Sequence, residues 1–136
     1  MTYRFTARAA AGDEEFDEDY RQAGVAEFKD GSGFILLFMR GIEEAEGQDV
    51  DLAMDTHCVV TADQGTAYGC VREVAVRDGT LRVVLDPAAL EDLGLDDPVI
   101  EAVLDVPEAD MNRMRDVLRR IFTHRRADAR PVLVDL

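Results

Sequence analysis

The sequence predicts an α+β fold that is mostly β: an antiparallel sheet of hairpins in meander order, packed with one long C-terminal helix and one short helix. Three observations predict it. Short apolar stretches separated by turn residues fill the first hundred positions. An Asp-Gly pair at 78–79 fixes the register of one hairpin. Only one long segment, about 107–124, carries apolar residues at three- and four-residue spacing. At 136 residues, with no internal repeat and no linker composition, the chain reads as one domain over 1–136.

The elements follow in order. Tyr3 to Ala7 alternates and reads as a first strand, ending at an acidic loop over 11–21. Gly24 to Phe28, the turn residues 29–33, and the continuously apolar run from Phe34 to Met39 form a hairpin. Six apolar residues in a row predict a central strand buried on both faces. From 51 to 63, Leu52, Met54, Cys58, Val60 and Ala62 share one face. Asp51, Asp55, His57, Thr61 and Asp63 share the other, with Val59 the exception. Period two of this kind predicts a half-buried strand with a polar outer face, closed by a turn at 63–65. A three-residue turn there would set Cys58 directly opposite Cys70 on the core face, as a pair of reduced thiols.

Pairing Arg77 with Thr80 across Asp78-Gly79 sets Val76 opposite Leu81 and Val74 opposite Val83. Val74, Val76, Leu81, Val83 and Leu85 then share one face, and a slip of one residue would expose them all. Asp86, Pro87 and Gly94 suit the cap, first position and exit of a short helix. Val99 to Leu104 is a further strand. Met111, Met114, Leu118, Ile121 and Phe122 give the long helix its core stripe, leaving Arg113, Arg115, Arg119 and Arg120 off it. The tail, 125–136, ends in an apolar stretch suited to a sheet edge or to a partner.

Charge narrows the function classes. The formal net charge is −14, and no apolar run approaches the ~20 residues needed to span a bilayer. General nucleic-acid and anionic-membrane binding are disfavoured, because phosphate is repelled. Two Cys and an N-terminus without an export pattern lead us to expect a reducing cytoplasm. The charge is uneven. Residues 1–112 hold 8 basic against 26 acidic residues, a net of −18, while 113–136 hold 7 Arg against 3 acids, a net of +4. One acidic cluster is Asp13, Glu14, Glu15, Asp17, Glu18 and Asp19; a second runs from Glu43 through Asp51 and Asp55 to Asp63. The ordinary role of such runs is solvation, and the sharper one is a surface that meets a basic partner.

Catalytic motifs are sparse. The sequence has no phosphate loop, no Gly-x-Ser-x-Gly, no His-Glu-x-x-His and no Cys-x-x-Cys, so no cofactor is expected. His57, Cys58, Cys70 and His124 have metal-ligand types, but His57 and Cys58 are adjacent on a strand and point to opposite faces. Asp55 and His57 are the one acid–base pair, ~7 Å apart along a strand and without an identifiable nucleophile. No metal site and no enzyme activity is expected.

Met54-Asp55-Thr56-His57-Cys58, then Asp63-Gln64-Gly65, then Ala67-Tyr68-Gly69-Cys70-Val71, resembles the immunity protein 10 family of bacterial polymorphic toxin systems. His57 stands where the family pattern has Tyr, and Cys70 replaces a second Gly. The resemblance implies a mostly-β, non-catalytic protein that binds and blocks a cognate or foreign toxin, and it assigns no contact residues. The residues suit that role: an acidic face can fill the basic cleft of a toxin that attacks nucleic acid. Candidate contacts are Asp51, Asp55, His57, Asp63, Gln64 and Tyr68, with the six acids of 13–19. Tyr68 is either an interface anchor or an internal packing residue. A small enzyme using Asp55 and His57, and a homodimer or other assembly module, are the alternatives.

Overall fold

The computed structural model describes residues 3–15, 20–30, 32–41, 57–61, 65–122, 131 and 133–136. Their strands are β1 (Tyr3–Ala7), β2 (Ala9–Glu15), β3 (Tyr20–Ala26), β4 (Ile35–Gly41), β5 (Cys58–Thr61), β6 (Thr66–Tyr68), β7 (Val71–Arg77), β8 (Thr80–Leu85), β9 (Val99–Leu104) and β10 (Leu133–Asp135). The helices are α1 (Leu90–Leu93), entered through a 3-10 turn at Pro87–Ala89, and α2 (Glu108–Ile121). The mostly-β α+β class stands.

The strands divide into two sheets rather than one. Sheet one has the order β1-β9-β8-β7-β10, and sheet two is the meander β2-β3-β4-β5-β6. Sheet two is antiparallel throughout. Sheet one carries parallel pairs at both edges, β1 on β9 and β10 on β7. Alternating polarity identifies a strand but not its partner, and parallel neighbours join segments far apart in the chain. The tail strand therefore completes the protein's own sheet edge, with the Arg77 Nε donating to Asp135 Oδ2 at 2.7 Å.

The β7–β8 hairpin has the expected register, with Arg77 opposite Thr80, Val76 opposite Leu81 and Val74 opposite Val83. Asp78 and Gly79 take φ of 53° and 74°, as a type I′ turn requires. Asp86 Oδ1 accepts the Ala88 N–H at 3.0 Å, and Gly94 ends α1 in the left-handed conformation. Of the expected α2 stripe, Met114, Leu118, Ile121 and, just past the helix end, Phe122 are buried, with Val117 beside them, while Met111 in the first turn is only half-buried. The expected end of that helix, 123–124, lies outside the described residues.

Two expectations are corrected. The acidic segment 11–21 is not simply a loop: β2 runs to Glu15 and pairs with β3, setting Asp13 opposite Gln22 and Glu14 opposite Arg21. Its Ala, Gly and acidic residues have poor β propensity, so the neighbours decide the conformation. Gly12 lies under α2, where a Cβ would come within 2.7 Å of the Arg113 carbonyl oxygen. The second correction concerns β4, the middle strand of sheet two. Leu36 and Phe38 are fully buried, but Ile35, Leu37 and Met39 on the opposite face are only half-buried. One face of that strand belongs to the core and the other does not. A single contiguous core takes in Leu36, Phe38 and Val59 from sheet two, Val74, Val83 and Ile100 from sheet one, and the α2 stripe.

Candidate functional site

The strand expected to show a polar outer face is turned the other way. His57, Val59 and Thr61 face the core, at 0%, 0% and 4% exposure, while Cys58 and Val60 are half-buried on the outer face. Each inward polar group has a partner, which removes the penalty for burying it. The His57 Nε2 accepts the backbone N–H of Val71 at 3.0 Å, and its ring meets Phe122 edge-on with centroids 5.0 Å apart. The Thr61 hydroxyl donates to the Leu93 carbonyl at 2.8 Å, tying β5 to α1. Val59, the one misfit in the alternation, was the sequence signal that the faces were reversed.

His57 is thus a core residue rather than a surface contact. Its Nε2 carries no proton while it accepts from Val71, so that nitrogen is engaged inside the fold. Asp55 lies outside the described residues. Among the described residues, no group of three or more His, Cys, Asp and Glu side chains could hold a metal ion.

The cysteines are also placed differently. β5 and β6 pair two residues away from the expected register, so Cys58 stands opposite Tyr68. Cys58 and Cys70 are free thiols. Burial pushes both above the ordinary thiol range, Cys70 to about 12.

Glu14 is corrected in a similar way. Its side chain is only 10% exposed, and its Oε2 accepts from the Arg21 Nε at 2.7 Å. Its Oε1 pairs with Arg120 and lies 3.7 Å from the Arg113 Nη1. The Arg21 hydrogen bond, with the charges of Arg120, Arg21 and Arg113, holds the carboxyl below the usual glutamate range against the opposing effect of burial. Glu14 therefore ties β2 and β3 to α2 and is not an uncommitted surface acid. Asp13 and Tyr68 are exposed, Tyr68 at 44%. Glu15 is the last residue of β2. Asp17, Glu18, Asp19, Asp51, Asp55, Asp63 and Gln64 lie outside the described residues.

The meander does bring the two acidic segments together at their anchor points. Residues 16–19 connect Glu15 to Tyr20, and residues 42–56 connect Gly41 to His57. Tyr20 is opposite Gly41, and Met39 is opposite Cys58, so both connections leave the same end of sheet two. These segments contain Asp17, Glu18, Asp19, Glu43, Glu44, Glu46, Asp49, Asp51 and Asp55, and no Lys or Arg. Tyr68 reaches that end too, through its pairing with Cys58. Asp63 and Gln64 do not; they connect β5 to β6 at the opposite end. The acidic clusters are far apart in sequence, and only strand order shows that these two connections leave the same end.

The fold defines a mostly-β domain of two sheets with a buried histidine, His57, immediately before β5. The family model of immunity protein 10 matches residues 6–112, and the chain belongs to that family. Membership implies an immunity protein, one that neutralises a toxin. The match ends within α2, before the arginines that hold Glu14 from that helix. No curated protein and no solved structure gave a significant match. Among the described residues, no helix is long and apolar enough to cross a membrane.

Proposed function

We propose that this immunity protein neutralises its toxin without catalysis, by stoichiometric binding in the cytoplasm, with the acidic end of sheet two meeting a basic toxin surface. The observation that supports this reading is that the connections 16–19 and 42–56, which carry nine acids and no Lys or Arg in sequence, are anchored at the same end of sheet two. Such a concentration of one sign steers a basic partner into encounter and orients it as it arrives. A toxin that must itself hold nucleic acid has the matching positive cleft, and covering that cleft blocks it. The toxin is either the cognate one or a foreign one with the same surface.

Co-expression with the toxin of the neighbouring reading frame tests protection, and stopped-flow association tests the charge. Neutralising Asp17, Glu18 and Asp19, and separately Asp51 and Asp55, to the matching amides is expected to lower the association rate for each set. About ten-fold for the two sets together, measured at low salt and shrinking as salt is raised, is the expected scale. Equal rates for wild type and both sets at low salt would remove the acidic end from the mechanism.

A further inference from the structure

β2 is an edge strand of sheet two, seven residues long, and the hairpin beside it gives the phase of its hydrogen bonds. The Glu27 N–H donates to the Phe34 carbonyl at 2.8 Å, in register with the β3–β4 ladder. Bonded pairs alternate along an antiparallel ladder, so Gln22, Gly24 and Ala26 turn their main-chain groups towards β2. They stand opposite Asp13, Ala11 and Ala9. The N–H and C=O groups of Ala10, Gly12 and Glu14 therefore point away from β3, at the open edge. An arginine of α2 lies across the middle of that edge. The Arg113 Nε donates to the Gly12 carbonyl at 3.1 Å, and the Arg113 Nη1 lies 3.7 Å from the Glu14 Oε1. The Arg113 side chain is half exposed, as a group at a sheet edge should be.

Outward-pointing main-chain groups are a template for another strand, and proteins cover them for that reason. This edge is also complementary to itself. It runs from Arg8 through Ala9, Ala10, Ala11 and Gly12 to Asp13 and Glu14, a base at one end and acids at the other. A second copy laid antiparallel, with the two-fold axis at Ala11, sets Ala10 opposite Gly12. Both members of each such pair point outward, so they can exchange N–H···O bonds. Ala11 then meets Ala11 and Ala9 meets Asp13, with small side chains where the strands come closest. Arg8 of each copy lies at the acidic end of the other, and charge favours this orientation. In this arrangement the Gly12 carbonyl accepts the Ala10 N–H of the second copy, and Arg113 already holds that carbonyl. We propose that the β2 edge is a pairing site for a second copy of this chain and that Arg113 holds it closed. The proposal does not depend on the identity of the toxin.

Arg113→Met keeps an unbranched side chain and removes the donor. Sedimentation velocity compares it with wild type at physiological salt, where charges more than about 8 Å apart are largely screened. The net charge of −14 on each copy opposes association at lower salt. Wild type is expected to sediment as a monomer, and Arg113→Met to dimerise with an association constant at least about ten-fold higher. Amide exchange locates the contact: the Ala10 and Gly12 amides are expected to exchange at least about ten-fold more slowly in the dimer. Ala10→Pro, added to Arg113→Met, removes an outward N–H at an edge that tolerates proline, and is expected to restore the monomer. Arg120→Gln loosens the hold on Glu14 without freeing the Gly12 carbonyl, and is expected to stay monomeric. Arg113→Gln, shorter and without the guanidinium fork, takes the place of Arg113→Met if that chain lacks a cooperative thermal transition. A folded variant as monomeric as wild type overturns the proposal. So does a dimer whose Ala10 and Gly12 amides exchange as fast as in the monomer, or an Arg120→Gln chain that dimerises equally well.

Discussion

The imidazole of His57 and the backbone N–H of Val71 form a 3.0 Å hydrogen bond inside the core, joining the residue that precedes β5 in sheet two to the first residue of β7 in sheet one. The chain changes sheets between β6 and β7, and the first N–H of β7 is satisfied by a side chain rather than by a strand. A second bond, from the Gly69 N–H to the His57 carbonyl at 2.8 Å, closes the same corner. His57→Phe keeps a ring against Phe122 but leaves the Val71 N–H buried without its acceptor. The expected loss is about 1–3 kcal/mol, measured by urea unfolding. His57→Ala adds a cavity and is expected to cost more. Neither variant should change the toxin association rate where it remains folded. A His57→Phe chain as stable as wild type would show that the bond contributes nothing.

Gly12 sets how closely α2 approaches β2. A Cβ there would lie 2.7 Å from the Arg113 carbonyl oxygen and 3.0 Å from the Met114 Cα, both main-chain atoms that cannot swing aside. Gly12→Ala is expected to lose about 1–3 kcal/mol, read as a lower thermal midpoint. Gly79→Asn makes the contrast. Its φ is positive, but nothing lies within 4 Å, and Asn tolerates that conformation in a type I′ turn. Its midpoint should move far less; equal losses would mean that space at Gly12 is not the limiting factor.

Glu14 makes stability depend on pH. Its carboxyl is held below the ordinary glutamate value of 4.5, so its contribution is fully present above that value and is lost as pH falls through the lower folded one. Glu14→Gln is expected to be less stable than wild type by about 1–2 kcal/mol at neutral pH, because Arg113 and Arg120 are half exposed and solvent screens them. Thermal unfolding of both chains should give a constant gap from pH 8 to 6, narrowing below 4.5. A gap that stays the same at pH 3 would count against the carboxylate as its source.

The two thiols should report their environments separately. Cys58 is half-buried and Cys70 is buried, with its thiol pushed up to about 12 by desolvation. At pH 8 a colorimetric disulfide reagent is expected to react slowly with Cys58 and with Cys70 only after urea is added. Two thiols should be counted in the unfolded chain, as the free cysteines require. Rapid reaction of both in the native protein would place Cys70 nearer the surface.

Local order was legible wherever one segment carried its own instructions. The β7–β8 register follows from Asp78-Gly79 and the alternation of Val74, Val76, Leu81 and Val83. The core face of α2 follows from Met114, Leu118 and Ile121. The capped turn at Asp86 follows from Asp-Pro and Gly94. The strand β2 was illegible, because Ala, Gly and acidic residues state no preference and pairing with β3 supplies it. The face of β5 was misread for a different reason. His57 and Thr61 are polar, and polarity predicts exposure only until the fold offers a partner such as the Val71 N–H or the Leu93 carbonyl.

By itself, the sequence determined the class of the fold, the hairpin at 77–80, the helix stripe, the family resemblance at 54–71 and the total of 29 acids. All of these depend on neighbours a few residues apart, or on composition. Tertiary structure decided the split into two sheets, the parallel edges, the burial of His57 and the engagement of Glu14 by three arginines. It also decided that residues 16–19 and 42–56 leave one end of sheet two. Those outcomes depend on which distant strands pair, and pairing is chosen by the combined packing of many residues rather than by any single stretch of chain.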